Sequence, residues 1–402
     1  MSATDKRHNV KLETLTPVHI GSGLFLQNNI EFVKHNNYIY IIDPRKLIDI
    51  IGIEKLDYWV SAINRGDDIK SLISKIGKNS TPDTYSKRYI ATRFNRNLDN
   101  QTTLKECMHD GRGIAYIPGS SIKGAIRTAV FADIATDNEE LENLIDLSKK
   151  TPCEKVEKRV FGKEPKSNVF RFLQIGDAYF NERCEVALNE VNLNVRESHT
   201  KLLDESKKLL VEAIEKGSET TFTIKLLSEY NKFAFEKSKA KDRLIEQENK
   251  KTHLKAIPEN MQSLELLFET ININSKVLIE SEINIWEQEK QDHNDDSTAQ
   301  NYIDNLKDIL QIINKCGKRE CVLRVGQASG WRFMTGAWVE TNEELFNKVI
   351  TKARPNAHNY TQYDFPKSRR IGDEYTVANE ENEDDFEKRN DIFGFVKLTL
   401  QE

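Results

Sequence analysis

The segment Pro118-Gly119-Ser120-Ser121-Ile122-Lys123-Gly124-Ala125-Ile126-Arg127 combines small residues, hydroxyls and two cations at the start of a helical pattern. Lys123 and Arg127 lie four apart, so they share a helix face with Gly124 between them. The apolar stripe Ile122, Ala125, Ile126, Ala129 and Val130 points elsewhere. A cation in a first helical turn is disfavoured by roughly a few tenths of a kcal/mol, and an anion docked there reverses the sign. Gly119, Ser120 and Gly124 leave room for a phosphate to approach the backbone, with Ser120 or Ser121 as the expected N-cap. The same residues read equally as an exposed helix start with two solvated cations. The GxxxxGK[ST] order is absent and no acidic magnesium ligand follows a nearby strand, which argues against nucleotide hydrolysis.

A second constellation runs from Arg324 to Trp338 (RVGQASGWRFMTGAW). Gly326 and Gly330, placed after a strand, permit positive φ and expose amides around Gln327 and Ser329. Arg324 and Arg332 can pair with phosphate, and Trp331 can stack on a base. Trp331, Phe333 and Trp338 read more simply as core residues. The GxGxxG dinucleotide spacing fails here. A third loop, Thr16 to Gly23, carries His19, which could act as a general base on a ribose 2′-hydroxyl. No partner acid is near it in sequence, so a hydrogen-bonding or RNA-contacting histidine is the simpler reading. Arg88 to Arg96, Lys352 to Arg354 and Lys367 to Arg370 offer phosphate-pairing capacity or merely solvated faces.

The elements that must position these loops follow from patterning. Val10 and Leu12 alternate as a strand before the loop at Gly21, Ser22 and Gly23. Residues 28–42 read as a hairpin turning at Asn36-Asn37, and Asp43-Pro44 as N-cap and first helical residue. Residues 55–112 read as a helical or loop insertion. A short strand at 114–117 enters the helix of Lys123, and 169–180 reads as a further strand. Leu202, Leu203, Leu209, Leu210, Ala213 and Ile214 suit an amphipathic helix over 199–216, stopped by Gly217. Strands follow at 220–227, 321–325 and 392–398, with a helix through Ile303, Leu306, Leu310 and Ile313.

At 402 residues, with 38% hydrophobic and 31% charged residues, the chain can bury a sizeable core in two or three domains. The polar N-terminus and the lack of a long apolar run predict a soluble, cytoplasmic protein without a membrane partner. Five scattered cysteines predict free thiols; Cys316 and Cys321 lack a second pair to complete a zinc site, so no metal or cofactor is expected. A net charge of -5 opposes non-specific coating of nucleic acid but leaves local contacts open. Acidic residues concentrate at Glu380 to Glu387 and around Glu287 to Asp296, taken as solvated loops.

Together, LETLTPVHIGSG from Leu12 to Gly23, IPGSSIKGAIR from Ile117 to Arg127 and the late RVGQASGWRFMTG loop resemble the RAMP superfamily of CRISPR-associated proteins. With PKSRR at 366–370 and the terminal FGFVKL, they resemble in particular the head subunit of the type III-A (Csm) effector complex. The resemblance implies an α+β chain of two ferredoxin-like (RRM-like) RAMP domains with helical insertions, 1–190 and 191–402. It implies a non-catalytic RNA-binding subunit that caps the backbone filament near the 3′ end of the CRISPR RNA and serves its maturation. Its partners would be that RNA, the backbone and small subunits, and host trimming nucleases. The implied RNA-proximal positions are Gly21 to Gly23, Ser120 to Arg127 and Gly326 to Trp331; Ala328 stands where the family pattern is richer in glycine. The aspartate with which backbone subunits cut target RNA has no matching motif here. The alternative is a metal-independent endoribonuclease of RAMP type, with His19 as base and Lys123 or Arg127 stabilising the pentacovalent phosphate.

Overall fold

The computed structural model describes residues 6–76, 80–94, 97–149, 151–180, 183–194, 202–292, 297–333, 337–353, 368–373, 375–378 and 386–401. The chain opens with β1 (Arg7–Thr14), β2 (Gly21–Gln27) and the hairpin β3 (Phe32–His35) and β4 (Tyr38–Ile42). Asn36 takes the tight turn at φ 51. Asp43 caps α1 (Pro44–Ile51), its side chain accepting from the Arg45 amide, as the Asp-Pro pair requires. Helices α2 (Leu56–Asn64) and α3 (Ile69–Lys75) follow, then β5 (Ser86–Thr92), β6 (Thr103–Cys107) and β7 (Tyr116–Ile117). The middle of the chain forms α4 (Gly119–Ala135), α5 (Glu139–Glu142), α6 (Glu154–Phe161), β8 (Leu173–Ile175), β9 (Ala178–Tyr179), β10 (Glu185–Asn194), β11 (Leu203–Ile214) and β12 (Glu219–Leu226). The remainder is α7 (Ser228–Arg243), α8 (Leu264–Asp292), α9 (Ser297–Lys315), β13 (Glu320–Arg324), α10 (Glu343–Ala353), β14 (Ser368–Gly372), β15 (Tyr375–Ala378), β16 (Phe386–Arg389) and β17 (Phe395–Leu400).

Two sheets organise these elements. The first is antiparallel in the order β13-β17-β1-β12-β8. β1, α4, β8, β12, α8 and β17 make a βαββαβ succession, with β13 inserted between α8 and β17 as an added edge strand, and strands from both ends of the chain lie side by side. Alternation drives the pairing: Val10 and Leu12 turn one face inward, opposite Phe222 and Leu398. Ile122 and Ile126 of α4 and Leu267 and Phe268 of α8 cover that face. On the other side, Val322 and Phe395 pack with Trp286, Tyr302 and Leu306.

The second sheet runs β2-β6-β11-β10-β5-β4-β3, with β14 also on β10. Here two expectations are corrected. The 55–112 stretch is not wholly helix and loop, because β5 and β6 pair in parallel with β10 and β11. The expected helix at 199–216 is instead β11, lying between β6 and β10. Its residues 210–214 are all buried, so the apolar run lacks the alternation of a half-exposed strand and mimics helical spacing. Glu287 and Glu289 sit on α8 rather than in a loop, whereas 379–385 lies outside the described residues. Residue 190, the expected domain boundary, falls within β10. Among the described residues, no helix is long and apolar enough to cross a membrane.

A buried carboxylate ties the second half together. Glu282 of α8 accepts from Arg332 Nη1 at 2.7 Å, Arg369 Nη2 at 2.6 Å and Nε at 2.7 Å, and Tyr302 Oη at 3.0 Å. Burial pushes its carboxyl up, but Arg369 and Arg332 overcome this and hold it at about 2. The depressed value contributes stability above the unfolded-state pKa, and this is lost as pH falls from about 5 towards 2. Glu282→Gln removes the charge that two buried guanidinium groups share, leaving Arg332 paired with Glu340, and is expected to cost about 3–5 kcal/mol at pH 7. Urea denaturation of both proteins checks this, and the difference should shrink between pH 5 and pH 2.5.

Candidate nucleic-acid interface

The loop after β1 and the loop after β13 are built against each other. Leu15 N donates to Phe395 O at 2.9 Å, Gly394 N to Pro17 O at 2.9 Å, and Phe395 N to Thr16 Oγ1 at 2.9 Å. Gln327 N donates to His19 O at 2.9 Å and Val325 N to Gly394 O at 2.7 Å. Gly326 sits at φ 81, and a Cβ there would lie 2.5 Å from His19 O. Both the left-handed backbone and the close approach demand glycine at this position.

This junction leads to an exposed platform that the sequence reading passed over. Lys105 of β6 hydrogen-bonds Gln327 Oε1, and Gln327 Nε2 in turn donates to Glu190 Oε2. Arg370 lies 3.3 Å from the other Glu190 oxygen. Burial pushes the Glu190 carboxyl up, against the pull of Gln327, Arg370 and Lys105. Phe25, 55% exposed on the edge strand β2, carries Lys105 Nζ at 5.9 Å from its ring centre. An open aromatic face beside a cation suits a stacked base and its phosphate. The signal was an exposed Phe on a strand just after Gly21 and Gly23, but Lys105 belongs to no motif. Ser22 turns away, donating to Glu106 Oε2 at 3.2 Å.

The other residues of the late loop have internal tasks. Arg324, expected to meet phosphate, is 4% exposed. It donates to Phe393 O at 2.9 Å and Ala328 O at 3.1 Å, between the rings of Phe333 and Phe395. Ser329 Oγ donates to Gly326 O at 2.6 Å, and Ala328 takes φ 63 without being glycine. Arg332 is buried in the Glu282 network and Trp338 in the core. Gly330 takes φ 79; the Trp331 side chain, like residues 334–336, lies outside the described residues.

At α4 the structure corrects the proposed anion site. The helix begins at Gly119 with Pro118 in the cap position, and neither Ser120 nor Ser121 caps it. Asp177 Oδ1 accepts from Gly119 N at 2.8 Å, so an internal carboxylate already supplies the negative charge. Gly119 backs directly onto Ile175 O, where a Cβ would come within 2.3 Å. Arg127 is committed to Glu157 at 2.7 Å and to the rings of Phe161 and Phe170. Lys123 differs: half-buried, it has no hydrogen-bonding or ion-pair partner among the described residues. Burial and nearby Arg127 push its ammonium down, a cost that a bound phosphate would relieve. Gly124 beside it is open. No hydrogen bond among the described residues links this helix start to the two joined loops.

His19 does not fit the alternative role of general base. It is 1% exposed, with Nδ1 2.6 Å from the Glu212 carbonyl, and Nε2 is buried without a partner. Burial lowers its pKa to about 4, partly offset by that carbonyl. A 2′-hydroxyl has no access to the ring.

Glu106, His109 and Glu212 gather ligand atoms within 4.8 Å of one another and are the described residues best placed to hold a metal. Arg88 already supplies positive charge there, bridging Glu212 and Glu106. Of the other basic candidates, Arg93 pairs with Asp391 and Glu215, Arg369 with Glu282, and Lys352 is exposed. Asn95, Arg96, Arg354 and Lys367 lie outside the described residues.

Comparison with known proteins places this geometry in context. The RAMP superfamily model matches residues 11–333. A Methanocaldococcus jannaschii protein, CRISPR system Cms protein Csm5, is 29% identical over 181 residues, covering 42% of each chain. The Streptococcus thermophilus protein of that name is 30% identical over 130 residues, 30% of this chain and 36% of its own. The matches therefore span less than half the length of these relatives. A chain in a type III-A Csm–crRNA–target RNA ternary complex superposes with a TM-score of 0.65 at 18% identity, covering 98% of this chain and 100% of that one. The crystal structure of T. onnurineus Csm5 superposes at 0.59 and 20% identity, covering 84% and 95%. At such identities the likeness is one of fold.

The loop junction predicts that Gly326→Ala costs about 1–3 kcal/mol, through the forced positive φ and the contact with His19 O. Thermal denaturation checks this, with Gly124→Ala, at an open helical position, near-neutral or stabilising.

Proposed function

From a chain that belongs to the RAMP superfamily, we propose an RNA-binding subunit of a type III-A CRISPR effector complex, without chemistry of its own. It caps the backbone filament near the 3′ end of the CRISPR RNA and serves that RNA's maturation. Its partners are the RNA, the backbone and small subunits, and recruited trimming nucleases, in the cytoplasm. The names of the relatives and the RNA-containing complex with the same fold support this reading. The βαββαβ succession of the first sheet supports its ferredoxin-like character.

The observation that carries the proposal is the exposed Phe25 with the half-buried Lys105 beside it, on β2 and β6 next to two joined glycine loops. The loops fix the backbone, Phe25 offers a face to any base, and Lys105 and Lys123 offer charge. Such a surface holds RNA with little regard to sequence, as a subunit serving many guide sequences must. Arg324, Arg332 and Arg127 act one step back, holding the loops and the α4 helix in place.

In a filter-binding titration with single-stranded CRISPR RNA, Lys105→Ala with Lys123→Ala should weaken binding and reduce the slope of log K against log salt by about 1.4, two contacts' worth. Arg127→Ala should lower stability and leave the slope unchanged. If the double lysine variant binds with an unaltered slope, the interface lies elsewhere.

A further inference from the structure

Beside the glycine-bearing start of β2 lies a cavity of about 700 Å³ whose two ends differ in charge. Its inner wall carries Glu106, Glu185, His109 and Arg88, with Glu212 fully buried behind them. Its mouth carries Lys87, Arg112, Arg183 and the half-open ring of Tyr89, over which the Arg183 guanidinium lies at 4.1 Å, together with one carboxylate, Asp110, paired with Arg112 at 2.8 Å. Two buried carboxylates and the partly buried Glu185 face one guanidinium and one imidazole, so the inner end is rich in acceptors. The mouth, three cations against one carboxylate, is net cationic and aromatic. A ligand that fits offers hydrogen-bond donors at one end and an anion at the other.

A bare metal ion satisfies only half of this. Arg88 Nη2 already lies 3.1 Å from both Glu106 Oε1 and Glu212 Oε2, and the cationic mouth opposes entry of another cation. A nucleotide satisfies both ends: base inward, phosphate at the mouth. Glu106 has both oxygens engaged, by Ser22 and Arg88. Glu212 has both engaged as well, by Arg88 and the Cys107 amide. Glu185 also lines the cavity but is held by a side chain at one oxygen, His109 Nε2 lying 3.1 Å from Oε1. Among the four RNA bases, only guanine presents two adjacent N–H donors, N1–H and N2–H, to a single carboxylate.

We infer that this cavity receives an extruded guanine nucleotide, with the base edge on Glu185 and the phosphate between Arg112 and Arg183. The inference rests on the RNA-binding reading for the source of the nucleotide, though the same chemistry would take a free guanine nucleotide. Extrusion costs least from single-stranded RNA, where no pairing is lost. Ser22 links this cavity to the loop at Gly21–Gly23, so RNA crossing the Phe25 platform passes its mouth.

Isothermal titration of the full chain with GMP, AMP and IMP tests this, beside filter binding of oligonucleotides carrying guanosine or inosine at one position. GMP should bind at least about tenfold more tightly than AMP or IMP, the discrimination expected of one bidentate pair. Glu185→Gln should erase that preference. Arg183→Ala, at an exposed position that leaves folding intact, should weaken GMP binding and leave guanosine binding unchanged. Equal affinity for GMP and AMP, or a guanine preference surviving in Glu185→Gln, overturns the inference. Absence of any GMP binding together with no guanosine preference in RNA also overturns it. RNA binding without guanine preference sinks the cavity and leaves the RNA reading standing; GMP selectivity in a chain that binds no RNA upholds the cavity and sinks the RNA reading.

Discussion

The docking of the first loop onto the two chain crossings at 325–327 and 394–395 is the constraint on which the rest of the surface depends. β1 sits between β12 and β17, so the loop that leaves β1 has no choice but to run beside the strands that end the chain. Four backbone hydrogen bonds, and a fifth bond that the Thr16 hydroxyl accepts from the Phe395 amide, then lock it there, and Gly326 makes the approach sterically possible. β2 starts from this fixed point and carries Phe25 outward. A loop with fewer anchors would pay in ordering entropy whenever RNA bound; this one has paid on folding.

Two buried charge networks hold the frame on either side. Glu282 gathers Arg332, Arg369 and Tyr302 below the late loop, and Glu212 gathers Arg88 within the second sheet. Such networks contribute little net stability against well-packed apolar alternatives, but breaking one partner is costly. Their effect is positional. Arg324, Arg332, Arg369 and Arg127, which look like phosphate ligands in the sequence, are consumed in making a rigid support, and the cations this surface keeps are lysines. Lys105 and Lys123 are compact charges on flexible stems, which suits contact with an RNA backbone whose bases vary.

Local signals were legible. Alternation in 7–14, 219–226 and 395–400 marks half-buried strands, and Asp43-Pro44 marks a helix start, because neighbouring residues alone decide them. What escaped was set by distant partners. β11 lies between two strands with its residues 210–214 fully covered, so its apolar run carries no period of two. Asp177 reaches Gly119 from 58 residues away and turns an apparent phosphate site into an internal cap. Arg324, Arg127 and His19 carry groups able to meet RNA, but Phe393, Glu157 and Glu212 decide what they touch, and those partners are not local. The glycine-rich loops were legible as loops; that two of them form one structure, and that an aromatic–lysine pair stands beside it, follows only from the strand order.

The claim that RNA crosses the joined loops is tested most directly by photocrosslinking the full chain to 4-thiouridine-substituted CRISPR RNA and mapping the adducts by mass spectrometry. The account predicts adducts on the peptides that carry Phe25 and Lys105. Adducts confined to α7 and the outer face of α8, with none between residues 16 and 27 or around Lys105, would contradict it.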